Sequence, residues 1–410
     1  MKKYFVREES FGYTFFDKRK LRHEFLAKTE LKKVLRNRGV SAKEVELIKA
    51  RRKEYRKDII YSPIRIYYEL TLGCNLRCRY CFNSSGIPRK NELTTKEVMQ
   101  SLDHLRQSNV LDLRFTGGEI TCRSDWFDIL QYAKNLGFAI SCNINAAYHD
   151  DTVSEKFAQL DLDQVTVSID GIKEHHDLNR GVGSFDRTIK NLAGLHRGGV
   201  RLRINTLVNK YSMHDIEYML DLAAKYTDEI NFFTIVFIGR GAELETVEGV
   251  TVEDHFKMSV ALHKLKPKYP QLRVLHFAEV SRKTSVDKSL GEKFGLRVGP
   301  PSGTTTFNLL SDGSYCCGGY APYIDPSLIL GNVRTDDLVD VWQKSQKLEQ
   351  IRDDGRLLIL FCDRCDEFTN GRCQGSKYET ELNRFVQPGI KNPTCIYSDS
   401  PSLLNITKKL

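Results

Sequence analysis

Leu72-Gly73-Cys74-Asn75-Leu76-Arg77-Cys78-Arg79-Tyr80-Cys81-Phe82 sets three thiols on one short loop, spaced C-x3-C-x2-C. The loop directly follows Ile64–Leu70, a run of β-branched and aromatic residues that reads as a strand. An iron–sulfur cube takes four ligands, so three cysteines leave one iron open to another molecule. A structural zinc site closes its own set of four. No further cysteine occurs in the 40 residues after Cys81. The pattern therefore points to a [4Fe–4S] cluster with one coordination position kept for a small molecule.

Outward from this loop, strand-like and helix-like stretches alternate. Leu111–Phe115, Phe138–Ile144, Gln164–Ile169, Arg201–Val208 and Ile230–Ile238 read as further strands. Between them Lys96–Arg106, Asp125–Leu136, Ser184–His196 and Met213–Tyr226 carry apolar residues at helical spacing. Six β-then-α units predict an α/β fold with a parallel sheet, a partial (β/α)6 TIM-like barrel over residues 61–285. Chemistry in such sheets sits beyond the C-terminal ends of the strands. Thr116-Gly117-Gly118-Glu119 falls there after the second strand, Asn143 and Asn145 after the third, and Ser168 and Asp170 after the fourth.

Beyond residue 300 the rhythm changes. A hairpin is expected at Leu310–Cys317 around Asp312-Gly313 and a helix near Asp336–Gln346. Residues 300–400 read as a small cysteine-rich domain with too few apolar residues to fold without a metal centre. Residues 1–60 form a third unit. They hold 19 Lys and Arg against 9 Asp and Glu, so the +9 charge of the 410-residue chain is concentrated there. Residues 4–27 read as a hairpin and Thr29–Lys57 as helix, split at Gly39-Val40-Ser41 with Ser41 and Glu44 as a capping box. This basic segment suits an acidic partner or is a solvated charged face.

With 40% hydrophobic and 28% charged residues the chain is ordinary for a globular protein. No run approaches the ~18 apolar residues of a membrane span, and the N-terminus lacks the apolar core of a signal peptide. A cytoplasmic, low-oxygen setting is expected, where clustered cysteines indicate metal rather than disulfides. No nucleic-acid reading motif accompanies the basic segment, so neither nucleic acid nor membrane is an expected partner. Cys122 and Cys142 stand apart from the clusters and read as buried apolar residues near the barrel mouth.

The cysteine loop, including the aromatic Tyr80 before its third cysteine, resembles the signature of the radical S-adenosylmethionine (SAM) superfamily. The resemblance implies that Cys74, Cys78 and Cys81 hold a [4Fe–4S] cluster whose open iron chelates SAM. Reductive cleavage of SAM would give a 5′-deoxyadenosyl radical that abstracts hydrogen from a substrate. Gly117-Gly118-Glu119 is similar to the family's GGE motif, which binds the methionine amino group. By the same resemblance Asn143, Asn145, Ser168, Asp170 and Asn205 surround SAM, with Asp170 suited to ribose hydroxyls. Arg180 would hold the methionine carboxylate, and backbone near Phe82 the adenine.

The C-terminal cysteines Cys362, Cys365, Cys373 and Cys395 are similar to the SPASM/twitch extension of these enzymes. They imply one auxiliary [4Fe–4S] cluster, with Cys317 as a substitute ligand; a zinc ribbon is the alternative. Lys377 stands where a further cysteine of the two-cluster pattern is expected. Relatives with this extension are mostly maturases of ribosomally made peptides, which implies a precursor peptide with an acidic leader and an external electron donor such as flavodoxin or ferredoxin. Residues 4–31 faintly resemble a leader-recognition domain, which adds the leader as a strand. Sulfatase-maturase-like protein modification and dehydrogenation of a small molecule are the alternatives.

Overall fold

The computed structural model describes residues 2–51, 54–235, 238–244, 252–276, 286, 288–297, 299, 301–319 and 321–354. These build two sheets. The larger contains β5 (Arg65–Glu69), β6 (Asp112–Thr116), β7 (Ala139–Ile144), β8 (Gln164–Ser168), β9 (Leu202–Val208) and β10 (Glu229–Thr234), all parallel and paired in sequence order. These are the six expected strands, displaced by at most a few residues. β11 (Arg273–His276) adds in parallel beyond β10.

The strands alternate strictly between two kinds of surface. Ile66, Tyr68, Leu113, Phe115, Ile140, Cys142, Val165, Val167, Ile204 and Phe232 are buried on the helix-covered outer face. Their neighbours Tyr67, Arg114, Ser141, Asn143, Thr166, Arg203, Asn205 and Asn231 line the inner face. A closed TIM barrel packs its interior with branched apolar residues. Here the interior is polar, as a binding chamber requires. The covering helices follow their apolar periodicity: the helix Thr95–Gln107 buries Val98, Leu102 and Leu105, and Trp126–Asn135 buries Ile129, Leu130 and Ala133. Thr94 and Glu97 close a capping box on the first of these.

On the opposite edge β12 (Thr306–Leu309) pairs in parallel with β5, and β13 (Ser314–Cys316) and β14 (Ile329–Asn332) follow antiparallel. The hairpin around Asp312-Gly313 is present, followed by the helix Leu338–Lys344. The boundary expected near residue 300 is nevertheless crossed by the sheet, because β5 offers an open edge that β12 satisfies. Cys362, Cys365, Cys373, Cys395 and Lys377 lie outside the described residues.

The smaller sheet runs β3-β2-β1-β4, from β1 (Tyr4–Glu8), β2 (Gly12–Asp17), β3 (Arg22–Ala27) and β4 (Val45–Ile48). Residues 4–27 thus make a three-stranded meander rather than a single hairpin. The helical reading of 29–57 holds only for Leu31–Asn37. Val45 and Ile48, expected in a helix, lie in β4, where pairing with the free edge of β1 overrides local periodicity. The Ser41–Glu44 capping box exists but closes one 3-10 turn, with Glu44 accepting the Ser41 N–H at 3.1 Å. Phe5, Phe16, Phe25 and Ile48 join the main core, while Val6, Phe15 and Leu26 pack against Leu31, Val34 and Leu35 of the helix. No described helix is long and apolar enough to cross a membrane.

Candidate active site

Three straps hold the cysteine loop over the C-terminal ends of the strands. The first is internal: Gly86 N–H donates to Leu72 O (2.8 Å) and Cys74 N–H to Gly86 O (3.2 Å). The second is the glycine pair after β6. Gly118 N–H donates to Thr71 O (2.7 Å) and Glu119 N–H to Gly73 O (2.8 Å). The approach is so close that a Cβ on Gly118 would meet Gly73 O at 2.2 Å, and one on Gly117 would meet Thr71 O at 2.3 Å. The third strap is Arg240, which donates from its backbone to Cys81 O (3.1 Å), from Nε to Cys78 O (2.9 Å) and from Nη1 to Ser85 O (2.9 Å).

The thiols suit a metal cluster. Burial pushes Cys74 up to about 12 and raises Cys78, so as free thiols neither would ionise near neutrality. Yet donors are aimed at the Cys74 sulfur: Leu76 N–H at 3.4 Å and Asn145 Nδ2 at 3.9 Å. Such N–H···S bonds fit a thiolate bound to iron. Among the described residues no group of three His, Cys, Asp or Glu side chains converges tightly enough for a single metal ion. A cube distributes three thiolates over three irons, which is compatible with that spread.

Glu119 is 1% exposed; its Oε2 accepts Asn145 N–H (2.6 Å) and its Oε1 accepts from Thr121 N–H (3.2 Å) and Oγ1 (3.0 Å). Burial raises its pKa despite these donors. Asn145 in turn donates to Asn75 Oδ1 (2.7 Å), tying the end of β7 to the cysteine loop.

Asp170 is fully buried and receives Arg180 Nε (2.6 Å) and the Tyr80 hydroxyl on Oδ2, and Arg180 Nη2 (3.2 Å) and Leu207 N–H (3.1 Å) on Oδ1. A carboxylate offers about four lone-pair sites, and here all four are engaged. Asp170 thus anchors Arg180 and Tyr80, rather than presenting a free carboxylate for ribose hydroxyls. Burial opposes its charge, but Arg180 holds it below the usual carboxylate range. Burial and the Asp170 charge push the Tyr80 phenol well up. The Arg180 guanidinium lies 5.6 Å from the Tyr80 ring centre and within electrostatic reach of Cys78. Ser168 ends β8, and the Oδ1 atoms of Asn143 and Asn205 are buried without a partner on the lumen side. Phe82 is 37% exposed at the rim, with Gly239 against its carbonyl.

Cys142 is buried in the outer apolar layer, as expected, but Cys122 is exposed because the 3-10 turn Ile120–Cys122 carries it outward. Cys317 is buried in the main core beside Gly303, and burial pushes it up to about 12. Arg240, Gly239 and the lumen residues Tyr67, Arg114 and Arg203 were not singled out in the sequence. The signal for the last three was there: polar residues alternating with apolar ones inside parallel strands, which are usually apolar throughout.

Residues 68–223 match the family model described as the radical SAM superfamily. Mycofactocin maturase MftC of Mycolicibacterium smegmatis is 28% identical over 338 residues, spanning 78% of this chain and 80% of the relative. The AdoMet-dependent heme synthase of Methanosarcina barkeri is 27% identical over 306 residues, 71% of this chain and 85% of the relative. Among solved structures, Streptococcus suis SuiB bound to S-adenosylmethionine superposes with a TM-score of 0.73 at 16% identity, covering 96% of this chain and 97% of that one. SuiB bound to the precursor peptide SuiA gives 0.73 over 98% of both chains at 16% identity. AnSMEcpe with bound AdoMet gives 0.64 at 18% identity over 85% of this chain and 100% of that one.

Proposed function

We propose that this chain, a radical SAM enzyme with its family domain at residues 68–223, modifies a ribosomally made peptide. The observation that carries the reading is the combination of a strapped three-cysteine loop with a polar inner face on the strands below it. Support comes from the maturase MftC at 28% identity over most of both chains. The fold likeness to SuiB, a protein crystallised with its precursor peptide, also runs over 96% of this chain and so takes in the basic N-terminal sheet. That sheet ends in two edge strands, β3 and β4, on which an acidic leader could add as a further strand. The likeness to heme synthases favours a second reading, oxidation of a small molecule.

Cys74, Cys78 and Cys81 would hold a [4Fe–4S] cluster, which when bound and reduced cleaves S-adenosylmethionine and supplies the radical that takes hydrogen from the substrate. The chain's own work is to place the reactants. The glycine strap and Arg240 fix the loop, Glu119 and Arg180 are set to receive the amino and carboxylate groups of the methionine moiety, and Asp170 holds Arg180 in position. Asn143, Asn145, Ser168, Asn205 and the backbone near Phe82 complete the SAM environment in this reading. Cys362, Cys365, Cys373 and Cys395 would hold an auxiliary [4Fe–4S] cluster, and flavodoxin or ferredoxin would deliver electrons.

The test is anaerobic reconstitution with any short peptide found encoded beside this gene. The enzyme should hold about eight iron atoms, form 5′-deoxyadenosine and change the mass of the peptide. The variant with Cys74, Cys78 and Cys81 all changed to Ala should lose both activities and keep about four iron atoms. Deoxyadenosine formation without any change in the peptide would move the assignment to the small-molecule reading.

A further inference from the structure

Among the described residues the polar lumen carries more positive charge than its own carboxylates balance. Tyr67 on β5, Arg114 on β6 and Arg203 on β9 all project to the inner face. The Arg114 guanidinium lies 5.6 Å from the Tyr67 ring centre and donates through Nε to Ser141 Oγ at 3.0 Å. Arg65 lies 6.0 Å from the same ring and is paired with Asp112. Glu229 serves both Arg203, at 3.6 Å, and Arg273, at 3.1 Å. Two carboxylates thus meet four guanidinium groups, and Arg114 has no carboxylate of its own among the described ion pairs.

Polar atoms without partners converge on the same place. Arg203 Nε, Thr166 Oγ1 and Asn231 Oδ1 are buried and unpaired, in residues that are 6%, 0% and 3% exposed. Thr166 stands directly opposite Arg203 in the β8–β9 register. Buried donors left unpaired are unfavourable, and an anion entering the lumen would accept from Arg203 Nε and the Thr166 hydroxyl, while Asn231 Oδ1, an acceptor, needs a donor such as an amide N–H. Burial first, and Arg114 second, push Arg203 down to about 9, as expected of a cation crowded by like charge without a sufficient counter-ion. The planar guanidinium favours a carboxylate bound through two oxygens. Tyr67 keeps part of its surface exposed, while Arg114 and Arg203 beside it are buried.

We infer that Arg114, Arg203 and Tyr67 form a carboxylate subsite at the lumen floor, which holds an acidic side chain or a C-terminal carboxylate of the substrate. Arg114 lies two residues before Thr116, the last residue of β6, so the anchor sits ~7 Å below the strap. That is about one side chain's length. The subsite would fix which residue of the substrate meets the radical, and it rests on the reading of the lumen as the substrate chamber proposed above.

The experiment titrates the SAM-loaded holoenzyme with two matched pairs of probes. N-acetylglutamate N-methylamide against N-acetylglutamine N-methylamide tests a side-chain carboxylate, and N-acetylglycylglycine against its carboxamide tests a terminal one. In one pair the acid should bind at least tenfold more tightly than its amide, and the pair that does so identifies the source. The preference should fall below threefold in Arg114→Gln and in Arg203→Gln. Arg203→Lys, which keeps the charge at the same place, should retain part of it and guards against a folding defect in the glutamine variant. No preference in either pair, or a preference that survives both glutamine substitutions, overturns the subsite. If glutarate binds as tightly as the peptide-like acids and no neighbouring peptide is modified, the subsite stands and the peptide reading fails.

Discussion

At Gly118 one methyl group would collide with main chain, not with a side chain that could turn aside. A Cβ there would lie 2.2 Å from Gly73 O and 2.7 Å from Leu72 O, inside the segment that positions Cys74. Gly118→Ala should therefore push the strap off the loop. We expect stability to fall by roughly 2 kcal/mol or more and the N-terminal iron to be lost, read by iron analysis and deoxyadenosine formation. The GGE motif was legible in the sequence. Its steric reason was not, because the oxygen that forbids a side chain lies 45 residues earlier. His176 makes a different residue-scale prediction. It is 0% exposed, and burial, then Arg180, push it down from 6.5 to about 4. Its Nδ1 accepts the Asp170 N–H at 3.3 Å, which requires the neutral ring. A folded pKa below the unfolded one gives stability that is complete above about pH 6.5 and is lost as pH falls toward 4. The loss over that window should be about 3 kcal/mol, and His176→Gln should flatten it in denaturant titrations at a series of pH values.

Among elements, the turn after β10 carries a role that no motif announced. The Arg240 side chain reaches Cys78 O and Ser85 O, both at 2.9 Å, and so joins the sixth strand of the barrel to the loop after the first. Arg240→Ala should leave the fold intact and loosen the loop. The visible absorption of the reconstituted cluster should then decay several-fold faster under an iron chelator. Arg240→Lys should not restore the wild-type rate, since one ammonium cannot span two carbonyls as the guanidinium fork does. A decay rate equal to wild type would remove the clamp. The strands themselves were legible because their outer faces are β-branched and aromatic. Which face looks into the chamber was not, since alternation gives two faces without saying which is covered by helices. The segment Val45–Ile48 shows the opposite limit: a vacant edge on β1 decided it against its helical spacing.

For the whole molecule, the basic N-terminal segment reads as separable by charge but is built into the core. Arg7 is fully buried and donates to Ser62, to Pro63 O and to Asn109 O, while its Nε pairs with Glu9 at 2.8 Å. Removing residues 1–57 would take Phe5, Phe16 and Phe25 out of the main core and break those bonds as well. Leader docking is therefore better tested on the surface. Lys32, Lys33 and Arg36 are exposed on the N-terminal helix. Their simultaneous change to Glu should weaken binding of an acidic precursor about tenfold or more at low salt, leaving SAM cleavage without peptide unchanged. Added salt should shrink the difference, because exposed charges are screened beyond ~10 Å at 0.1 M. Equal affinities of the two proteins for the labelled precursor would remove the docking role. Composition located this charge correctly. It carried no information on burial, which depends on contacts between residues 7 and 109.

The pairing of β12 with β5 also sets a timetable. β5 leads straight into Cys74, yet the neighbour on its outer edge begins at Thr306, some 240 residues later in synthesis. At about 5–20 residues per second the ribosome leaves that edge open for roughly 12–48 s. For that interval the nascent chain presents the cysteine loop beside an open sheet edge, accessible to cluster-delivery proteins and equally to aggregation. Cluster insertion and the closing of the sheet are thus two events on one clock, and the order in which they occur decides how much of the protein emerges loaded.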